Sequence, residues 1–368
     1  MLKTPLFNEH QKLKAKISEF AGYQMPIFYT SVKEEYLAVR NNAGIFDISH
    51  MCPIFIKSEN SKEDIINFLE PVTCRMISSI LPNQVQYNAL LNENGGIIDD
   101  ITVFYLAENK YMLIVNASNS SKVMEFLRKE KEKKQCKVEI KKPQEYILLA
   151  VQGPDSEKLT IDLLKKEGIS LPDIFYYECF ENSAANSVEV ISRTGYTGED
   201  GFEILLSVEK GLSLWQNALK SGIKPAGLAS RDILRMEMFY PLYGHEIDET
   251  TSPYEGGIGW LVDEKDMPLA PVLQQRKESS QKVVRGFHMI KDGIPRSGFE
   301  VYDENDNLIG QVTSGAFSFL TNKGFGMASI KKTHAKTGSR IFINTRQGKK
   351  EASVLIKSSH KGSIKRRK

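Results

Sequence analysis

Turn-forming residues cut much of this chain into antiparallel hairpins, and that order constrains the fold more than any other feature. Val85 to Leu91 and Ile97 to Leu106 flank Asn92-Glu93-Asn94-Gly95-Gly96, and Glu108-Asn109 leads on to Tyr111–Val115. β-Branched and aromatic runs separated by Asn and Gly predict a three-strand meander. Val188 to Arg193 and Gly201 to Leu206 flank a second glycine-rich turn. After about residue 281 helical patterning disappears. Short runs parted by Asp292-Gly293, Asn305-Asp306-Asn307, Asn322-Lys323-Gly324 and Gln347-Gly348 predict a small antiparallel barrel or sandwich. This order is not βαβ, so a doubly wound parallel sheet is excluded and an α+β protein is expected.

Helices fall between the hairpins. Ser31-Val32-Lys33-Glu34 is a capping box, and Val32, Tyr36 and Val39 follow at helical spacing. Ser61 with Asp64 opens a second helix bearing Ile65, Phe68 and Leu69. A third follows Asn116-Ala117-Ser118 and ends in the solvated charge run Lys129 to Lys134. Pro154 is expected at a first helical position ahead of Leu159, Leu163 and Leu164. Ser230 is expected to precede a helix carrying Leu234 and Met238, stopped by Pro241. At 368 residues the chain exceeds the roughly 250–300 that one core usually serves, so two or three domains are expected.

Charge excludes some functions. Lys plus Arg is 49 against 46 Asp plus Glu, without the basic surplus of a nucleic-acid binder. No apolar stretch approaches a membrane span of roughly 18 residues, and Met1–Pro5 lacks the apolar core of a secretory signal. Cys52, Cys74, Cys136 and Cys179 lie far apart, which predicts buried structural thiols in a reducing cytoplasm. The histidines show no ligand spacing, so no metal is expected. Phosphate-cradling glycine loops and a serine nucleophile elbow are absent.

Three segments are more specific. They are Asn92-Glu93-Asn94-Gly95-Gly96-Ile97-Ile98-Asp99-Asp100, then Ser192-Arg193-Thr194-Gly195-Tyr196-Thr197-Gly198-Glu199-Asp200-Gly201-Phe202-Glu203, then Gly227-Leu228-Ala229-Ser230-Arg231-Asp232 with Leu242-Tyr243-Gly244-His245-Glu246. With Phe20-Ala21-Gly22 and Phe46-Asp47-Ile48-Ser49-His50-Met51, in this order, the chain resembles the T-protein (aminomethyltransferase) family of the glycine cleavage system, from Thr4 to about Ile356. The resemblance implies an α+β, three-lobed folate-binding transferase fold with an inserted ferredoxin-like lobe and a C-terminal antiparallel β-barrel. The implied domains are 1–50 plus 141–280, a discontinuous folate-binding lobe; 51–140, the insert; and 281–368, the barrel.

The implied reaction moves the methylene of an aminomethyl group from the lipoylated H-protein to tetrahydrofolate, a co-substrate. Ammonia leaves and 5,10-methylenetetrahydrofolate forms. The folate amine is the nucleophile, so the protein needs a carboxylate near the reacting nitrogens rather than a serine or cysteine. Asp99 and Asp100 are adjacent on a predicted strand and point to opposite faces. Asp99 is expected beside Ile97, Ile101, Val103 and Tyr105, and Asp100 beside Ile98, Thr102 and Phe104. The residues alone do not choose between them; the match to the family motif implies Asp100 as the catalytic carboxylate. The competing reading makes both of them hairpin caps.

The family match implies Glu203 as acceptor for the N–H pair of a pterin edge. It implies Tyr87, Tyr177 and Tyr196 as ring contacts, with core packing as the alternative for Tyr87 and Tyr177. Arg231 would hold a carbonyl or carboxylate, unless a nearby acid such as Asp232 takes it. Asn116 is a pocket hydrogen-bonder or a helix cap.

The chain departs from the family pattern at Tyr23, at Cys52, at Cys74-Arg75, at Pro268-Leu269-Ala270-Pro271 and at Ser358-Ser359-His360. These departures keep open another folate-dependent one-carbon transferase or demethylase, or a non-catalytic folate-binding iron–sulfur assembly protein. The tail holds Lys357, Lys361, Lys365, Arg366, Arg367 and Lys368 without an acid. Lys361 to Lys368 are expected to fray, or the tail to steer an acidic carrier.

Overall fold

The computed structural model describes residues 1–182, 189–263, 267–358 and 360–366. The meander forms where the turns place it. Val85–Leu91, Ile97–Ala107 and Lys110–Val115 pair antiparallel, and Cys52–Ser58 with Val138–Lys141 complete a five-stranded sheet. Helices Lys62–Leu69 and Ser120–Lys134 bring Ile65, Phe68, Val123 and Leu127 into one core with Ile101, Val103 and Tyr105 of the long strand. The opposite face sends Phe104 and Leu106 against Leu148, Val190 and Leu205 of a second sheet.

That second sheet has six strands. Their order is Cys179–Glu181, Val190–Ser192, Gly201–Leu206, Ile147–Gln152, Gly44–Asp47 and Lys224–Pro225. The chain leaves it after Asp47, builds the five-stranded sheet, and returns at Ile147. Its far face is sealed by helices Ser156–Lys166 and Val208–Lys220, whose Leu163, Leu164, Leu214, Trp215 and Ala218 are buried. Burying each large aliphatic or aromatic side chain contributes about 1.5–3 kcal/mol before the entropy of ordering it is counted. Lys282–Met289, Lys323–Lys331, Leu308–Ser318, Glu300–Tyr302, Arg340–Thr345 and Gly348–Leu355 close an antiparallel barrel. The α+β class and the C-terminal barrel are therefore as the sequence suggested.

Local signals hold where partners are close in sequence. Ser31 Oγ accepts the Glu34 N–H at 3.2 Å and starts helix Val32–Asn41. Two helix starts differ. Pro154 lies two residues before helix Ser156–Lys166, because Gly153 N and Asp155 N bond across to Asp200 O and Asn42 O. Ser230 lies inside helix Leu228–Glu237, and its hydroxyl folds back to the Gly227 carbonyl at 2.8 Å. Met238 follows that helix, and Phe239 at φ 58° turns the chain before Pro241. Cys52, Cys74 and Cys179 are buried, but Cys136 is half-exposed. The second hairpin's first strand is Val190–Ser192; Val188, with which the sequence reading began it, lies outside the described residues.

Among its described residues the tail does not fray. Between Lys357 and Arg366 the described residues fold back onto the turn between Val190–Ser192 and Gly201–Leu206, where Ser363 and His360 bond Glu199. Two of its cations are occupied, Lys365 by Glu157 at 2.9 Å and Arg366 by the Tyr176 ring. Arg367 and Lys368 lie outside the described residues.

Candidate active site

The strand Ile97–Ala107 places two carboxylates where the sheets meet, and a β-bulge decides which way they face. Leu90 opposes Asp99 but Leu91 opposes Ile97, so Ile98 is an extra residue. The bulge reverses the expected partners at this end. Ile98, not Ile97, joins the core of Ile101 and Val103 on the Asp99 side, and Ile97 packs with Ala89 and Leu91.

Asp99 is fully buried among donors. It accepts Asn116 N at 2.9 Å, Asn116 Nδ2 at 2.8 Å and Asn119 Nδ2 at 2.6 Å. Asp100 lies on the other face, accepting the Tyr87 hydroxyl at 2.9 Å and Asn116 Nδ2 at 2.8 Å. Asn116 caps no helix with its side chain; its amide nitrogen bridges the two carboxylates. Neither aspartate caps the hairpin. Asn92 does so, its Oδ1 accepting Asn94 N and Gly96 N at 3.0 and 2.9 Å. Burial, and then the neighbouring Asp100 charge, push the Asp99 carboxyl up to about 7. Burial raises Asp100 as well. The pair therefore resists holding two charges at once. The Tyr87 hydroxyl is raised well above its ordinary value by burial and by Asp100.

The second sheet supplies the facing wall. Glu203 lies on Gly201–Leu206 with Ser192 as cross-strand neighbour. Its Oε2 accepts the Thr194 hydroxyl at 2.6 Å, and its Oε1 has no partner among the described residues. Phe104, Met112, Ile114, Leu148, Val190 and Glu203 line a small cavity of about 10 Å³ between the two sheets. Arg231 points here from helix Leu228–Glu237, its guanidinium 4.9 Å from the Tyr196 ring centroid. Asp232 does not claim it, because Arg235 binds Asp232 at 2.8 Å. Arg231 Nη1 is buried without a partner among the described residues, and burial holds its pKa below the usual value although Glu203 and Tyr196 pull the other way. His50 Nδ1 is a second buried orphan; burial, with Arg231 as the nearby cation, holds His50 neutral with a pKa of about 4.

The tyrosines close the ring. The Tyr196 hydroxyl donates to the Pro241 carbonyl, and its ring stacks on Tyr240 with centroids 5.8 Å apart. Tyr177 sits edge-on to Tyr176 at 4.7 Å and adopts a positive φ of 64°. Burial, then Asp100, Tyr196 and Tyr177, raise the Tyr87 hydroxyl, and burial, then Tyr240 and Glu203, raise that of Tyr177. The seven residues singled out in the sequence thus converge on one place. Sequence reasoning missed Asn119, Thr194, Tyr240 and Trp260, whose ring lies 6.3 Å from Tyr87. Thr194 was within a quoted motif; Asn119, three residues after Asn116, carried only that spacing as a signal.

A family model described as the GCVT N-terminal domain matches residues 6–266, and one for the glycine cleavage T-protein C-terminal barrel domain matches residues 282–359. An aminomethyltransferase of Leptospira interrogans serogroup Icterohaemorrhagiae serovar copenhageni is 40% identical, covering 99% of this chain and 98% of its own. One from Thermosipho melanesiensis is also 40% identical, over 100% of this chain and 99% of its own. The crystal structure of glycine cleavage system aminomethyltransferase T from Bartonella henselae superposes with a TM-score of 0.90 at 29% identity, covering 99% of each chain. This chain belongs to the glycine cleavage T-protein family of aminomethyltransferases.

Proposed function

We propose that this enzyme transfers the methylene of an aminomethyl group from the lipoyl arm of the glycine cleavage H-protein to tetrahydrofolate, releasing ammonia and giving 5,10-methylenetetrahydrofolate. The observation that carries the reading is the half-buried Asp100 carboxylate, oriented by Tyr87 and Asn116 opposite Glu203 and Arg231.

The residues fit a reduced pterin on one side of Asp100. Glu203 Oε1 is available for an N–H pair, and the Thr194 hydroxyl fixes the rotamer that presents it. The orphaned Arg231 Nη1 and His50 Nδ1 are buried polar atoms that lack partners, a costly condition that a ligand's polar edge relieves. Tyr177 and Tyr196 offer rings to flat groups. Tetrahydrofolate, when bound, supplies the nucleophilic amine. Asp100 holds negative charge beside the reacting nitrogens, where it stabilises developing positive charge and takes up or returns a proton. Burial raises its proton affinity, which suits that exchange. Asn116 and Tyr87 hold the carboxylate still while this occurs.

No helix among the described residues is long and apolar enough to cross a membrane. A cytoplasmic location suits the four free thiols. The test mixes the protein with tetrahydrofolate and aminomethylated H-protein and measures ammonia and methylenetetrahydrofolate. Equimolar formation of both is expected; formation of neither refutes the reading. Turnover without ammonia favours the demethylase alternative.

A further inference from the structure

Past the barrel strand Gly348–Leu355, the described residues between Lys357 and Arg366 form a strap over the outside of the Tyr196 turn. Ser363 Oγ donates to Glu199 Oε2 at 2.7 Å and accepts Asp200 N at 2.9 Å. His360 Nε2 meets Glu199 Oε1 at 2.6 Å. The Lys365 carbonyl accepts Tyr176 N at 3.3 Å, and its ammonium reaches both Glu157 oxygens at 2.9 and 3.0 Å. Gly362 sits at φ 65°, and a Cβ there would come within 1.8 Å of the Gly198 carbonyl oxygen. The strap backbone is therefore pressed against the turn. His360 to Arg366 lie beyond the residues matched by the barrel family.

The same turn is gripped from inside. Gln152 Nε2 donates to the Thr194 carbonyl at 3.0 Å, and Arg40 Nη1 donates to the Thr197 carbonyl at 2.7 Å and to Glu199 Oε1 at 2.8 Å. Tyr196 projects between these two grips toward Arg231. Tyr177 follows the strap-bound Tyr176, and its positive φ is a conformation that persists only when neighbours over-determine it. Among the described residues, no hydrogen bond or ion pair of the strap reaches Asp100, Tyr87 or Asn116.

We propose that Gly362 and Ser363 are positioning residues for the folate side of the site. They fix the Tyr196 turn from behind, while Lys365 and Arg366 of the same strap hold Tyr176 beside Tyr177, so that both rings are preformed against Arg231 and Glu203. This rests on the folate reading above. Preforming a loop reduces the ordering cost at binding. Losing it therefore weakens tetrahydrofolate binding and leaves the chemistry at Asp100 alone.

The test uses full-length protein carrying Ser363→Ala, Ser363→Thr or Gly362→Ala, with Arg366 retained in all of them. Wild-type protein is first titrated with tetrahydrofolate alone; absence of binding there refutes the folate reading itself. Given wild-type binding, Ser363→Ala should raise the tetrahydrofolate Kd and KM about tenfold, the factor carried by one hydrogen bond to a charged group. The kcat at saturating folate and the KM for the H-protein should stay at wild-type values, and Ser363→Thr should restore binding. Gly362→Ala should act in the same direction. If it does not fold, Ser363→Ala decides. Wild-type folate affinity in Ser363→Ala, or a fall in kcat with unchanged folate KM, overturns the proposal.

Discussion

Exchanging each aspartate for asparagine separates catalysis from folding, because the two carboxylates have different neighbours. Asp100 has one hydroxyl and one amide partner. An asparagine there keeps both: its oxygen accepts Asn116 Nδ2, and its amide donates to the Tyr87 oxygen once that hydroxyl rotates. Asp99 has only N–H partners, Asn116 Nδ2 and Asn119 Nδ2 on one oxygen and Asn116 N on the other. An asparagine at 99 must point an N–H at an N–H in either orientation. Relief of a buried charge offsets part of that loss, leaving a cost of about 1–3 kcal/mol. Asp100→Asn should fold normally, bind tetrahydrofolate, and lose roughly 10²–10⁴ in kcat.

The pH dependence of stability adds a second readout. Burial raises both carboxyls in the folded state. Their contribution is fully present below the unfolded pKa of about 3.9 and is lost as pH rises through the folded value, about 7 for Asp99. Removing the Asp100 charge should make that decline shallower, so the variant matches or exceeds wild-type stability at pH 8. The assays are urea denaturation at several pH values and single-turnover kinetics at saturating substrates. Full turnover in Asp100→Asn, or lost turnover at wild-type stability in Asp99→Asn, would refute the reasoning.

Glu203→Ala should weaken tetrahydrofolate binding by about 1.5–3 kcal/mol, the worth of a hydrogen bond to a charged group, with little change in stability; calorimetric titration measures it. Arg231→Lys should cost about tenfold in the same titration, since a point charge cannot replace the planar fork, and wild-type affinity would dismiss Arg231 as a ligand group. Gly96→Ala should destabilise the protein by about 1–3 kcal/mol in chemical denaturation, because its Cβ would fall 1.8 Å from the Glu249 carbonyl oxygen. That clash would push away the segment whose Asp248 and Thr251 carbonyls hold Ile97 N.

The sequence by itself determined the features whose causes are local. Asn-Gly turns made the meander, Ser31 capped its helix through a partner three residues on, and turn spacing marked the barrel strands. The motifs also carried Asp100, Tyr196, Glu203 and Arg231, each within one turn, strand or helix, whereas Tyr87, Asn116 and Tyr177 lie outside them and came only from the family resemblance. The tertiary structure decided what depends on distant atoms. The facing of Ile97 and Ile98 was set by a bulge whose register is defined only against Leu90 and Leu91. The start of helix Ser156–Lys166 was set by Asn42 and Asp200, far along the chain. Asp232 pairs with Arg235, one helical turn on, while Arg231 lies over the Tyr196 ring. The tail read as frayed because its composition is basic and polar, but its order comes from Glu157, Tyr176 and Glu199, more than 150 residues away. Short-range patterning carries no information about such partners, since loop closure over those lengths is favoured only once the folded surface exists to receive the chain.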